Sequence, residues 1–308
     1  MLLPLVKMLS NKHQSVLLEE TIEALNLKPN GIYVDLTLGM GGHASLILQN
    51  IPEGKLFAFD KDYFAIQESR KKLELINNNF YLIHSDFKNI KNELNKLGIK
   101  QVDGIIADLG ISSPQIDNAD RGFSYNKNAK LDMRMNQDQF LDANYIVNHY
   151  DVEKLSQIFY YNAEVKFAKQ VAKAIVENRP INTTLELANV IRKSLPAKIV
   201  SLKNPNKAIF QALRIEVNDE LNALKNMLVD ALDLLKPQAN LCVISFHSIE
   251  DKIVKNFFGK LTKNQLPVKM PVKEEKKYSV KTIKVSEKEI KINHRARSAK
   301  LRVLTKIF

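Results

Sequence analysis

The sequence predicts an open α/β sheet, mostly parallel with an antiparallel last strand, interrupted by an all-helical domain. Three patterns carry that expectation. Four short apolar runs alternate with segments of helical periodicity as far as Leu109. From about Leu131 to Ser201 only helical periodicity is found. The strand–helix alternation then resumes. Strands alternating with helices imply right-handed crossovers, a parallel sheet and helices on both of its faces.

The elements follow in order. Val16–Leu25 places Leu17, Leu18, Ile22 and Leu25 on one side of a helix. After the turn Lys28-Pro29-Asn30-Gly31 comes a first strand, Ile32–Leu36, and then the cluster Gly39-Met40-Gly41-Gly42. Lys55–Phe59 reads as a second strand ending at Asp60, Ala65–Ile76 as a helix, and Phe80–His84 as a third strand. Ile90–Leu97 is helical, and Val102–Leu109 is a fourth, buried strand. In the insert, Asp151 can cap a helix carrying Val152, Leu155, Ile158 and Phe159 inward. Phe167, Val171 and Ile175 stripe another, and Thr183 with Glu186 is a capping box for a third. Leu213, Val217, Leu221, Leu224, Leu228, Ala231 and Leu235 form one continuous stripe closed by Pro237, feeding a fifth strand, Asn240–Phe246. Tyr278–Val285 and Lys300–Lys306 alternate with period two and suit a final antiparallel pair. Residues 1–116 and 210–308 are therefore expected to form one discontinuous domain around a helical insert over 117–209. An insert following the fourth strand leaves the sheet at its carboxyl edge, where open α/β sheets bind ligands.

Charge is distributed unevenly. Residues 1–251 hold 29 basic and 30 acidic side chains, whereas residues 252–308 hold 17 and 4, a net of +13. That asymmetry points to a polyanionic partner, most simply nucleic acid, against the plainer reading of a solvated lysine-rich tail. A single cysteine, Cys242, excludes an intrachain disulfide and lies in the apolar run Leu241–Ile244, which suits an inert core residue. The six histidines show no metal-ligand spacing, so no metal is expected. No apolar stretch reaches the roughly 18 residues of a membrane span, and Met1–Leu9 lacks the features of a secretory signal. A cytoplasmic protein with no membrane partner is expected.

The chemistry concentrates at strand ends. Gly39-Met40-Gly41-Gly42-His43 lies between a strand and a helix, where glycine lets the backbone turn and approach a ligand. Asp60, 19 residues after Gly41, ends the next strand and can accept from both ribose hydroxyls of an adenosine cofactor. That spacing suits NAD and S-adenosylmethionine alike. Asp108-Leu109-Gly110-Ile111-Ser112-Ser113-Pro114-Gln115 leaves the fourth strand toward the crevice, although a capped turn would use the same residues. Arg121-Gly122-Phe123-Ser124-Tyr125 joins a cation to two aromatics, suited to stacking a nucleobase or to packing a domain junction. His247, in Ser245-Phe246-His247-Ser248, could line a target pocket or hold a structural hydrogen bond. No Gly-x-Ser-x-Gly elbow supports a serine hydrolase.

Eight ordered motifs, from His13 almost to the C-terminus, make the resemblance specific. They are His13 with Val16-Leu17-Leu18-Glu19, Gly39–His43, Asp108–Gln115, Arg121–Ser124, Leu131-Asp132-Met133-Arg134-Met135, Phe210–Ile215 with Val217–Leu221, Ser245–Ser248 with Glu250-Asp251, and Arg295-Ala296-Arg297-Ser298-Ala299-Lys300-Leu301-Arg302. In these the chain resembles the bacterial RsmH (MraW) family. The resemblance implies a Rossmann-like class I methyltransferase sheet. The implied activity is transfer of a methyl group from S-adenosyl-L-methionine to the N4 amine of a cytidine in 16S ribosomal RNA, leaving S-adenosyl-L-homocysteine. By position it places cofactor contacts on Gly41, Gly42, His43, Asp60, Phe87, Asp108 and Gln115. Four places depart from the family pattern: Ser15, Asn162-Ala163-Glu164, Asn204-Pro205-Asn206-Lys207 and His294. None touches the cofactor motifs.

Methyl transfer from a sulfonium asks mainly for alignment. Asp108 is the candidate catalytic acceptor for the amine proton. Candidate RNA or base contacts are Arg121, Phe123, Tyr125, His247, Arg295, Arg297, Lys300 and Arg302, the last four shared between RNA and the sheet edge. The target base must be unstacked to react. The expected partner is small-subunit ribosomal RNA or the assembled small subunit. Two readings compete: a nicotinamide-dependent oxidoreductase, separated by binding of S-adenosylhomocysteine against NAD, and a non-catalytic RNA-binding assembly factor, separated by methyl incorporation.

Overall fold

A computed structural model describes residues 15–202, 204–263 and 275–308. His13 and the leader Met1–Leu9 lie outside the described residues, as does part of the basic C-terminal segment. The chain divides into two compact units, Met1–Gly110 with Ala223–Phe308, and Ile111–Asn222.

The first unit contains one seven-stranded sheet: β1 (Ile32–Asp35), β2 (Lys55–Asp60), β3 (Phe80–His84), β4 (Val102–Asp108), β5 (Leu235–Ser245), β6 (Tyr278–Lys284) and β7 (Lys300–Lys306). Their spatial order is β3-β2-β1-β4-β5-β7-β6. The first five strands pair in parallel, and β7 runs antiparallel to both of its neighbours. Period-two alternation splits each central strand between two cores. Phe57 and Phe59 of β2, with Leu241 and Val243 of β5, join one core with Leu94, Leu228 and Phe258 from helices Ile90–Lys96, Glu220–Leu234 and Ser248–Thr262. Leu56 and Ala58, with Cys242 and Ile244, join the other with Leu25, Leu48 and Ile66 from helices Leu18–Leu25, Gly42–Asn50 and Tyr63–Glu74. Each fully buried Leu, Ile or Phe contributes about 1.5–3 kcal/mol. Cys242 is a buried core residue whose thiol burial pushes far above its ordinary range, as its apolar run predicts.

Two elements differ from the sequence reading. β5 starts at Leu235, before Pro237, and a register irregularity between Val102 and Gly104 accommodates the extra length beside β4. Gln238 adopts φ 64°, so the strand enters through a kink that apolar spacing could not reveal. The continuous stripe from Leu213 to Leu235 belongs to two helices, Pro205–Asn218 and Glu220–Leu234, broken where Asp219 takes φ 51°.

The second unit is helical, with an isolated bridge between Lys130 and Thr183. Its longer helices are Val152–Ala163, Ala168–Glu177, Thr184–Lys193 and Pro205–Asn218. Asp151 caps the first through Lys154 N, and Thr183 with Glu186 forms the predicted capping box. Phe159, Val171, Ile175, Leu187, Ile191 and Leu213 meet in its core. Its limits correct the expected 117–209. Helix Pro205–Asn218 belongs to this unit because Ile209, Phe210, Leu213 and Val217 point into the helical core.

Candidate functional site

The carboxyl ends of β1, β2 and β4 carry Asp35, Asp60 and Asp108. Between the first two lies the glycine loop. Gly41 has φ 69°, a left-handed value costly for other residues, and occupies the N-cap of helix Gly42–Asn50. A Cβ at Gly42 would stand 1.8 Å from Ser15 Oγ, so this departure from the family pattern does meet the glycine loop, contrary to expectation. Asp60 fastens this loop: its Oδ2 accepts from Gly39 N and its Oδ1 from Asp62 N, both at 2.8 Å. Ser69 Oγ, from the next helix, donates to Gly39 O at 2.7 Å. Each Asp60 oxygen retains a second lone pair for a ligand hydroxyl. Burial pushes the Asp60 carboxyl up to about 6, against the pull of its two backbone donors.

Asp108 N donates to Thr37 Oγ1 at 2.6 Å, tying the end of β4 to the loop after β1. Its Oδ1 is buried without a hydrogen-bond partner, and its Oδ2 stands 3.8 Å from His43 Nδ1. Burial raises the Asp108 carboxyl well above the usual range, and the charges of Asp35, Glu250 and Glu289 add to the rise. His43 is buried, which lowers its imidazole to about 4 and keeps it neutral at pH 7; its Nε2 has no partner. Asp35, which the sequence reading did not single out, is fully buried and pushed up to about 7 by that burial; its Oδ1 accepts from Thr37 N. Its signal was available: an acid ending an apolar strand just ahead of a glycine loop. Buried, unpartnered acceptors with displaced pKa values mark a ligand site. Among the described residues no group of three His, Cys, Asp or Glu side chains could hold a metal ion.

A family model described as the MraW methylase family matches residues 10–307. The chain belongs to the MraW methylase family. "Ribosomal RNA small subunit methyltransferase H" of Mycoplasmopsis agalactiae is 62% identical, across 97% of this chain and 100% of that protein. The protein of the same name from Mycoplasmopsis synoviae is 58% identical, across 97% and 99%. Five of the residues that the resemblance put forward as cofactor contacts, Gly41, Gly42, His43, Asp60 and Asp108, gather at one end of the sheet. Phe87 opens the turn after β3 and packs, half-buried, against one core of the same unit. Gln115 lies in the helical unit, buried, with Oε1 accepting from Ser112 N at the start of helix Ser113–Asp117.

The remaining family motifs divide differently. His247 is the N-cap of helix Ser248–Thr262: Nδ1 accepts from Glu250 N, and Nε2 lies 3.0 Å from Glu250 Oε1 but off the line of a good hydrogen bond. It therefore serves the helix start. Arg121 is buried in the helical unit, where Nη2 donates to Arg134 O and Met135 O. Phe123 is a core residue there, and Tyr125 packs edge-on against Phe210 at 5.6 Å. The base-stacking expectation is corrected for Phe123, since a ring buried among apolar neighbours has no face for a base, whereas Tyr125 is only half-buried. Lys300 Nζ and Arg302 Nε grip the two oxygens of Asp251 at 2.9 and 2.7 Å, which fastens β7 to helix Ser248–Thr262. Burial raises the Asp251 carboxyl, yet these two cations hold it below its ordinary value. Arg295 and Arg297 are exposed on the turn before β7.

Proposed function

We propose that this chain transfers a methyl group from S-adenosylmethionine to the N4 amine of a cytidine in 16S ribosomal RNA, in the bacterial cytoplasm. Family membership and the names of its close relatives support the reaction class. The observation that carries the cofactor assignment is the glycine loop wired to Asp60 beside two buried polar atoms without partners, His43 Nε2 and Asp108 Oδ1. Gly41, Gly42, His43, Asp60, Phe87 and Asp108 would hold S-adenosylmethionine. Bound there, it supplies a methyl group made electrophilic by the sulfonium.

The protein's own part is modest and specific. Asp60 offers its free lone pairs to the ribose hydroxyls while keeping the loop in place. Gly41 and Gly42 let the backbone approach closely. Asp108 is the proton acceptor for the reacting amine: a carboxyl whose pKa burial has raised takes a proton more readily than an exposed one. The RNA partner is small-subunit RNA, free or assembled. Labelled S-adenosylmethionine incubated with the protein and either substrate, followed by nucleoside mass spectrometry, tests the proposal. N4-methylcytidine at one position is expected. Binding of RNA without methyl incorporation would favour an assembly factor, and tighter binding of NAD than of S-adenosylhomocysteine would overturn the cofactor.

A further inference from the structure

Within the helical unit, too, charge is divided unevenly. Residues 111–163 hold five basic and seven acidic side chains, whereas residues 164–207 hold nine and three. The basic stretch begins beside three exposed aromatics. Tyr160 and Tyr161, at the end of helix Val152–Ala163, are 59% and 68% exposed, and Phe167, at the N-cap of the next helix, is 38% exposed. The two tyrosine rings sit edge to face at 5.3 Å. The helix buries Leu155, Ile158 and Phe159 instead, so folding gains little from the tyrosines. Lys166 and Lys169 are exposed on the same stretch. Gln170 Nε2 donates to Ser194 O, which brings exposed Lys193 alongside.

We propose that Tyr160, Tyr161 and Phe167, flanked by Lys166, Lys169 and Lys193, form a docking surface for single-stranded RNA. This rests on the reading that RNA is the substrate, and it assigns the helical unit its contact. The chemistry fits one occupant. Aromatic faces stack unpaired bases whatever their identity, and cations beside them neutralise the phosphates between those bases. A protein partner is a poorer match, because protein interfaces are depleted in lysine. A second exposed aromatic pair in this unit provides the contrast. Phe140, 81% exposed, meets Tyr145 at 5.3 Å, but residues 135–145 hold Asp138 and Asp142 and no cation, whereas at the tyrosine pair the single acid Glu164 is outnumbered by Lys166 and Lys169.

The test uses the full chain, a fluorescein-labelled single-stranded RNA oligonucleotide and deproteinised small-subunit RNA. Replacing Tyr160 and Tyr161 together by alanine is expected to weaken RNA binding about 5- to 100-fold. Lys166→Gln with Lys169→Gln should flatten the salt dependence by about 1.4 log units per tenfold salt. Phe140→Ala should change neither, and affinity for S-adenosylhomocysteine should stay at the parent's value in all variants. Parental affinity and slope in both the tyrosine and the lysine variants would overturn the surface, even with methyl transfer intact. A parent that binds RNA through this surface and transfers no methyl group would overturn the methyltransferase reading instead.

Discussion

In the helical unit the polar residues of the family motifs are locked to one another. Asn218 accepts from Met135 N and donates to Met133 O and Arg214 O; Arg134 pairs with Asp132, and Arg214 pairs with Glu220 through two bonds of 2.8 Å. At the carboxyl end of the sheet, the equally prominent Asp108 and His43 keep buried atoms with no partner, and three carboxyls sit above their ordinary pKa. Motifs of the same strength in the sequence thus have opposite physical meanings. A buried polar group that bonds to its neighbours holds the fold, and two adjacent ones with atoms left unsatisfied at a strand end, as in His43 and Asp108, are open to a ligand.

The contrast can be broken in four places. The largest effect is expected at Asn218→Ala, which strands a buried N–H and a buried carbonyl and should lower stability by about 3–4 kcal/mol in urea unfolding. Affinity for S-adenosylhomocysteine should be unchanged; a loss of affinity with little loss of stability would reverse the roles assigned to the two units. Next is Asp35. Its folded pKa of about 7 lies above the ordinary 3.8, so between those values only the folded state keeps the proton. Stability from this group is present below about pH 4 and is lost as pH rises through 7. Asp35→Asn should therefore gain on the parent by on the order of 2–4 kcal/mol between pH 4 and pH 8. A pH-independent difference would mean the carboxyl is already ionised in the fold.

Asp60→Ala comes third. Calorimetry should show about 1–3 kcal/mol less binding energy for S-adenosylmethionine. The structure adds a stability loss of about 1–2 kcal/mol that position at a strand end does not suggest, because Gly39 N and Asp62 N lose their acceptor. Unchanged affinity would remove Asp60 from the site. The smallest effects sharpen the contrast inside the basic segment. Arg302→Gln, which leaves Asp251 to Lys300 alone, should cost about 1 kcal/mol. Arg295→Gln with Arg297→Gln should stay within about 0.5 kcal/mol of the parent while flattening the salt dependence of RNA binding. An unchanged slope would take these two arginines out of the RNA contact.

Much of this architecture was legible because apolar runs ending in an acid are a strong strand signal. β2, β3 and β4 begin where the sequence placed them, and Thr183 and Asp151 cap as their spacing implies. The break at Asn218-Asp219 was hidden because its apolar stripe runs on without interruption. The bonds that stabilise it come from Met133 and Met135, more than eighty residues away. Phe123 and Tyr125 could not be assigned to core or surface from a loop with no periodicity. The basic face beginning at Lys166 vanished in a charge count taken over residues 1–251, where acids elsewhere cancel it.

β7 lies between β5 and β6 although it follows both in the chain. Its backbone completes ladders on two sides, with Val303 opposite Cys242 on one and Lys281 on the other. During synthesis, then, the sheet must wait for its latest strand, while the uninterrupted helical stretch before Ala223 has already emerged. Until that strand arrives, β5 and β6 each present a bare edge, the template on which nascent chains pair wrongly. A chain ending at Ala299 would lack β7 and leave that edge of β5 bare.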